Sequence, residues 1–296
     1  MASVLTFPHA PMKSLLALTL GALAQCATAQ TPATNLMPDG SRDMYLGLGL
    51  QSVPRYEGAD QQRTRYLPVL QVQWSNGLFL SGASMGMHLS NQPDLEYGPL
   101  LSVLPGRGVD GVATAPGDIG SATLPGLLPP GAIKKPDTRN RLVGMNELST
   151  RLSYGGFLNV YLNRDLRWTN SLLYGSGQQR RGLRLDSDLQ LALNAEVASR
   201  HSLSVSAGLS LGNRAANASQ FGVTAEESLR SINAPYEASA GLKDVHLGLR
   251  WNWKLSPSWM LVSSARVARL QGTAADSPLT ERPLQYSLSS ALAYRF

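Results

Sequence analysis

Apolar side chains recur at every second position through much of this chain. Leu46, Leu48 and Leu50 alternate with Tyr45, Gly47 and Gly49, and Tyr66, Pro68, Leu70, Val72 and Trp74 alternate with Leu67, Val69, Gln71 and Gln73. Leu189 to Val197 and Leu203 to Leu211 each carry an apolar face opposite a polar or small one. The longest such face is Val245, Leu247, Leu249, Trp251, Trp253 and Leu255, set against His246, Gly248, Arg250, Asn252 and Lys254. A period of two marks strands with unlike faces, and the Gly, Pro, Asn, Asp and Ser clusters between these runs mark turns. The pattern predicts strands over 44–53, 65–75, 78–89, 97–104, 147–160, 165–174, 184–198, 202–212, 242–255, 259–270 and 285–296.

Two features point to a membrane barrel rather than a soluble sandwich. Most predicted strands approach the ~9–11 residues that cross a bilayer, and their connections alternate between long and short, as in outer-membrane barrels. Backwards from Phe296 the connections are long (271–283), short (256–258), long (213–241), short (199–201) and moderate (175–182). Trp253 and Trp259 flank Ser256-Pro257-Ser258, and Trp74 abuts Ser75-Asn76-Gly77, where an interfacial aromatic girdle belongs. Tyr294 and the terminal Phe296 resemble the C-terminal signal read by the outer-membrane assembly machinery. The expected fold is therefore all-β, an antiparallel transmembrane β-barrel of the outer membrane. Eleven strands are legible where an even number is expected, and direction counting from both ends places the conflict between Leu104 and Glu147. Either 97–104 does not span, giving ten, or a further strand lies within 105–146, giving twelve. Twelve is preferred because 97–104 alternates acceptably. Segment 105–140, with six prolines and seven glycines, reads as a long loop.

Composition agrees with alternating faces. Only 16% of the residues are charged, against roughly 25% in soluble domains, yet the mean hydropathy of -0.11 is too polar for a bundle of membrane helices. A single cysteine excludes a disulfide framework. The net charge of +6 comes without a basic run, so nucleic acid is not an expected partner. Met12-Lys13, the apolar stretch 15–24 and Ala27-Thr28-Ala29 form the three regions of a secretory signal, with cleavage expected before Gln30. Residues 1–29 are thus read as the signal and 30–296 as the barrel.

Six short motifs in order resemble the MltA-interacting protein (MipA/OmpV) family. They are Tyr56-Glu57-Gly58-Ala59-Asp60, Tyr97-Gly98-Pro99-Leu100-Leu101, Phe221-Gly222-Val223-Thr224, Ala240-Gly241-Leu242-Lys243-Asp244-Val245, Ala274-Ala275-Asp276-Ser277-Pro278 and Ala293-Tyr294-Arg295-Phe296. The resemblance implies a Gram-negative outer-membrane barrel. For some members it also implies a scaffold joining a lytic transglycosylase to a murein synthase. The chain departs from the family pattern at 105–140, where a shorter, more acidic stretch is expected.

Tyr56, Glu57, Gly58, Asp60, Phe221, Lys243, Asp244 and Asp276 are the candidates for interaction or for ordering loops; Phe221 is either a packing anchor or a binding contact. Arg151, Arg167, Arg250 and Arg266 fall within strands, where a lipid-facing charge costs about 2–4 kcal/mol, so they are expected to face the lumen. A basic lumen gives the second functional reading, a narrow, weakly anion-selective channel for small solutes; the first is a non-enzymatic envelope scaffold. Beyond the signal the histidines are His88, His201 and His246. His201-Ser202 falls on a short periplasmic turn and His88 near the outer end of its strand, so no catalytic residue, metal site or cofactor is assigned. Outer-membrane lipid is the expected surroundings.

Overall fold

The computed structural model describes residues 42–90, 92–112, 140–177, 179–193 and 200–296; the expected signal and most of 105–140 lie outside them. Twelve antiparallel strands close into one barrel. In chain order these are β1 (Arg42–Pro54), β2 (Gln62–Trp74), β3 (Leu78–Ser81), β4 (Ser84–Met87) and β5 (Leu95–Leu104), followed by β8 (Arg151–Tyr161), β9 (Leu166–Ser176) and β10 (Gly182–Leu193), then β11 (His201–Gly212), β12 (Gly241–Lys254), β13 (Trp259–Leu270) and β14 (Leu284–Arg295). Between β5 and β8 a separate two-stranded pair, β6 (Arg107–Gly108) and β7 (Gly111–Val112), stands apart from the barrel. Each barrel strand pairs with the next, and β1 pairs with β14 from Tyr45↔Arg295 to Ser52↔Leu288, which removes both sheet edges.

The strand number comes out at twelve, but the expected extra strand within 105–146 is not where it arises. The predicted strand 78–89 is instead a hairpin of two four-residue strands, turned at Gly82-Ala83. Gly82 has φ +56, the conformation that the first central residue of a tight two-residue hairpin turn requires. The alternation carries a sign of the fold-back: Leu78 and Leu80 are even-numbered, whereas Met85 and Met87 on the same face are odd. The fold-back also returns His88 to the short-turn end, contrary to its expected place at the outer end.

Antiparallel register puts opposed residues on the same face, so the faces follow from the pairing. Leu46, Leu48 and Leu50 point outward, and so do Leu247, Leu249, Leu288 and Leu292. This exposed leucine band is bordered differently at its two ends. Trp74, Trp168, Trp251, Trp253 and Trp259 all lie toward the short-turn end, with Tyr294 in edge contact with both Trp259 and Phe296 at centroid distances of 5.0 Å. Tyr66, Tyr154, Tyr174 and Tyr286 lie outward toward the long-loop end. An exposed apolar belt between two aromatic rims is a surface matched to a bilayer. Inside, Val69, Val262, Ala291 and Ala293 pack together beside the closing seam, with Tyr45 and Met260 against them, so that part of the lumen is filled by side chains.

Leu48 is 72% exposed at the middle of β1. Leu48→Arg is expected to lower the unfolding free energy in lipid vesicles by about 2–4 kcal/mol, measured by urea titration of tryptophan fluorescence. A change near zero would mean that this face does not meet lipid.

Candidate functional site

The long loops fold over the barrel end as a cap. The loop after β11 forms helices α1 (Arg214–Phe221) and α2 (Ala225–Arg230), and the loop after β13 forms α3 (Gly272–Ala275). Asn213 caps α1 by accepting from the Ala216 amide. Thr224 and Glu227 form a reciprocal capping box on α2. Phe221, fully buried, packs with Ala238, Leu270 and Ala274, which makes it a packing anchor. Tyr56 and Ala59 pack on Leu142, and Met145, Val223 and Leu279 form a third cluster. Polar bonds tie the loops to one another: the Ser277 hydroxyl donates to the Phe221 carbonyl at 2.6 Å, Arg107 Nη1 to the Gln220 carbonyl at 2.6 Å, and the amides of Glu281 and Arg282 to the Gly58 carbonyl at 2.8 and 2.9 Å. Glu227 Oε1 accepts from the Asn146 amide at 2.9 Å, linking the loop after β5 to α2. Burial raises the Glu227 carboxyl, but the amide donors of Thr224 and Asn146, the Thr224 hydroxyl and the Arg107 charge outweigh it and hold its pKa below the usual value. Burial raises the Tyr56 phenol and lowers the Arg107 guanidinium.

Beneath the cap, charged side chains on neighbouring strands join in a connected chain along the lumen wall. The register between β11 and β12 shifts between Ser210 and Leu211, leaving Lys243 as an extra residue, and this bulge turns Lys243 and Asp244 both inward. Lys243 Nζ lies 2.8 Å from Glu57 Oε1 and 3.2 Å from Asp244 Oδ2. Asp244 also meets Arg266 at 3.5 Å and His246 Nδ1 at 2.8 Å, and His246 Nε2 reaches Asp188 at 2.8 Å. Only the imidazolium form donates to both carboxylates. The His246–Asp188 bond passes over β11 at Gly208, where a Cβ would lie 2.6 Å from His246 Nε2 and collide with the Asp188 carboxylate. Glycine here clears a path between β10 and β12. Alongside, Arg184 Nε sits 2.7 Å from Asp186, which accepts from the Ser210 hydroxyl at 2.6 Å.

The structure gathers most of the motif residues at this one end. Tyr56, Glu57, Gly58, Phe221, Lys243 and Asp244 meet across the cap and the upper lumen; the Asp60 amide donates to Glu281 Oε2 at 3.1 Å, and Asp276 ends α3. The four arginines all lie on the lumen face by register but at separate heights: Arg151 begins β8 at the capped end, Arg167 donates to Gln190 at 2.6 Å near the short-turn end, Arg250 neighbours Asn252, and Arg266 lies mid-strand. They do not make one constriction ring. His201 stacks on Trp251 and Trp253 on the outer face, while Ser202 accepts from Asn252 on the inner face, so the fold separates that pair. His88 packs against Phe79 and Phe157 in the lumen. Sequence reasoning missed Arg184, Asp186, Asp188 and Glu227 and gave His246 no role, although Asp186/Asp188 and Asp244/His246 each sit at i, i+2 on the lumen face.

A closed barrel with an apolar aromatic-rimmed belt, short turns at one end and a loop cap at the other is a transmembrane β-barrel of the outer membrane, with its cap extracellular and its short turns periplasmic. Residues 46–296 match the family model of MltA-interacting protein MipA, and the chain belongs to that family. No curated protein matches. Among solved structures the chain is similar to the KdgM porin (9% identity, 85% of this chain, 99% of that one, TM-score 0.40) and the NanC porin (10%, 86% and 100%, 0.43). It is also similar to the COG4313 outer membrane channel from Pseudomonas putida F1 (10%, 88% and 97%, 0.40).

Two outcomes test this geometry. Because the Glu227 pKa is depressed on folding, its contribution is complete above the unfolded value near ~4.3 and is lost as pH falls through the folded value. Limited proteolysis of the cap is therefore expected to accelerate below about pH 4 in the wild type, and Glu227→Ala to show faster cleavage already at pH 7, a local loss of about 1–2 kcal/mol. Separately, Gly208→Ala is expected to lower barrel stability by roughly 1–3 kcal/mol in urea titration, since the added methyl breaks the His246–Asp188 bond and crowds its neighbours.

Proposed function

We propose that this protein is a non-conducting, non-enzymatic barrel that serves as an envelope interaction protein, meeting a lytic transglycosylase at its periplasmic rim. The observation that carries the reading is the filling of the extracellular end: loops pack over it, and the chain from Glu57 through Lys243, Asp244 and His246 to Asp188 runs along the lumen wall beneath them. A barrel end filled in this way favours binding over passage. The family description, MltA-interacting protein, names the partner class. A murein-acting partner works on the periplasmic side, so the surface it meets is the rim formed by the turns at 75–77, 88–90, 92–94, 162–165 and 255–258, where Leu89, Leu162 and Leu255 are exposed. A murein synthase joins the same assembly through the partner enzyme.

In planar bilayers the purified mature chain is expected to give no reproducible conductance steps. Photo-crosslinkers at 163 and 257 are expected to capture a lytic transglycosylase in intact cells, and the same group at 226 in the cap is not. Anion-selective steps from the wild type would favour the channel reading instead.

A further inference from the structure

The strand register commits each side chain of the barrel wall to lipid or to lumen. Among the described side chains, the lipid-facing positions of the twelve strands carry a single carboxylate, ammonium or guanidinium group, that of Arg269. Arg269 is exposed and pairs with Val245 on one side and Leu284 on the other. It is the last residue but one of β13, at the extracellular end, where the cost of a lipid-facing charge falls away. Arg282, also exposed, lies just before β14, and its guanidinium sits over the outward ring of Tyr286 at 5.4 Å from the centroid. Tyr286 faces Val267 across the two strands, and Arg269 is the next outward residue on β13, a diagonal neighbour within reach of a long side chain. Two guanidinium groups thus flank one ring at the extracellular rim. Neither has a carboxylate partner among the described residues.

The lipid face below this pair is indented. Ser263 and Ala265 are the next outward residues of β13 after Val267, and between Leu249 and Trp251 on β12 and Leu288 on β14 they leave a groove of about 440 Å³. The hydroxyls of Ser263 and Ser290 on its floor bond each other at 2.9 Å, so a hydrocarbon chain can lie there without stranding a polar group. Arg269 stands four residues along β13 from Ala265, roughly 13 Å at the rise of a strand. An apolar groove in the membrane face that leads up to two cations at the surface has the layout of a lipid with an anionic head.

We propose that the outer face of β12, β13 and β14 binds a phosphorylated glycolipid of the outer leaflet, of the lipid A type. Arg269 and Arg282 donate to one of its phosphates, and an acyl chain lies in the groove between Leu249 and Leu288. The planar donors of guanidinium match phosphate oxygens, and the Tyr286 ring holds Arg282 in place by a cation–π contact. The extracellular position of the pair selects the outer leaflet, which in a Gram-negative outer membrane is built of phosphorylated glycolipid. The proposal does not depend on the partner enzyme, since it concerns the lipid-facing surface.

The test is native mass spectrometry of the refolded mature barrel in detergent micelles, titrated with diphosphoryl lipid A, with lipid A stripped of both phosphates and phosphatidylglycerol as comparisons. One diphosphoryl lipid A per barrel is expected to be retained, about tenfold more tightly than either comparison lipid, as charge-assisted hydrogen bonds to phosphate imply. Arg269→Gln and Arg282→Gln are each expected to weaken diphosphoryl lipid A by about tenfold and to leave the dephosphorylated form unchanged. Ala265→Leu, which fills the groove from outside the barrel, is expected to weaken both forms of lipid A alike. Heat-modifiable migration confirms that each variant is folded. No retention by the wild type, equal retention of the dephosphorylated lipid or of phosphatidylglycerol, or undiminished binding in both arginine variants or in Ala265→Leu would overturn the proposal.

Discussion

A polypeptide in hydrocarbon has no water to satisfy its amides, so a sheet that crosses a membrane must close on itself. In this chain closure is the pairing of β1 with β14, and much else follows from it. Gly47 and Gly49 face Ala293 and Ala291 across the seam on the lumen side, where small residues let the ends of the sheet meet. Once the register is fixed, every side chain is committed to lipid or lumen, since a slip of one residue would exchange the two faces. The leucine band, the tryptophan rim and the tyrosine rim are consequences of that commitment.

The same constraint creates the problem that the lumen must solve. Polar side chains excluded from lipid have only the interior of a twelve-stranded barrel to occupy, and a charge there without a partner is expensive. The chain answers with bonds that reach across strands. The bulge at Lys243 supplies a second inward side chain where regular pairing would give one, and Gly208 removes the side chain that would otherwise separate His246 from Asp188. Breaking one member would strand the others, which is why these charges act as a unit.

How much of this was legible follows from which features are local. Alternation, turn residues and the aromatic rims are properties of short windows, and within the described residues the strands from β8 onward emerge close to their predicted positions, the end of the predicted strand 184–198 lying outside them from 194 on. The hairpin at Gly82 reads as one strand in the sequence because its two arms together have the length of a single span. The phase change between Leu80 and Met85 was the available sign. The lumen chain was partly legible, because Asp244, His246 and Arg250 share a face by period two. The bulge was not, since it depends on how β11 pairs with β12. Nor was the cap, whose clusters join Tyr56 to Leu142 and Val223 to Leu279 across most of the sequence.

The location of the motif residues bears on what they are for. Tyr56, Phe221, Lys243 and Asp244 are all buried: Tyr56 and Phe221 pack against neighbouring loops, and Lys243 and Asp244 bond to each other, to Glu57 and to His246. Lys243 holds both ends of the arrangement: it bonds to Glu57 in the first extracellular loop and to Asp244 at the head of the lumen chain. Seating of the cap and neutralisation of the lumen are therefore coupled through one ammonium group. A sequence pattern with this arrangement specifies how the loops seat on the end of the barrel. On the proposed reading, recognition of a periplasmic enzyme falls to the short turns at the other end, where the motifs contribute the terminal strand and Tyr97-Gly98 near the start of β5.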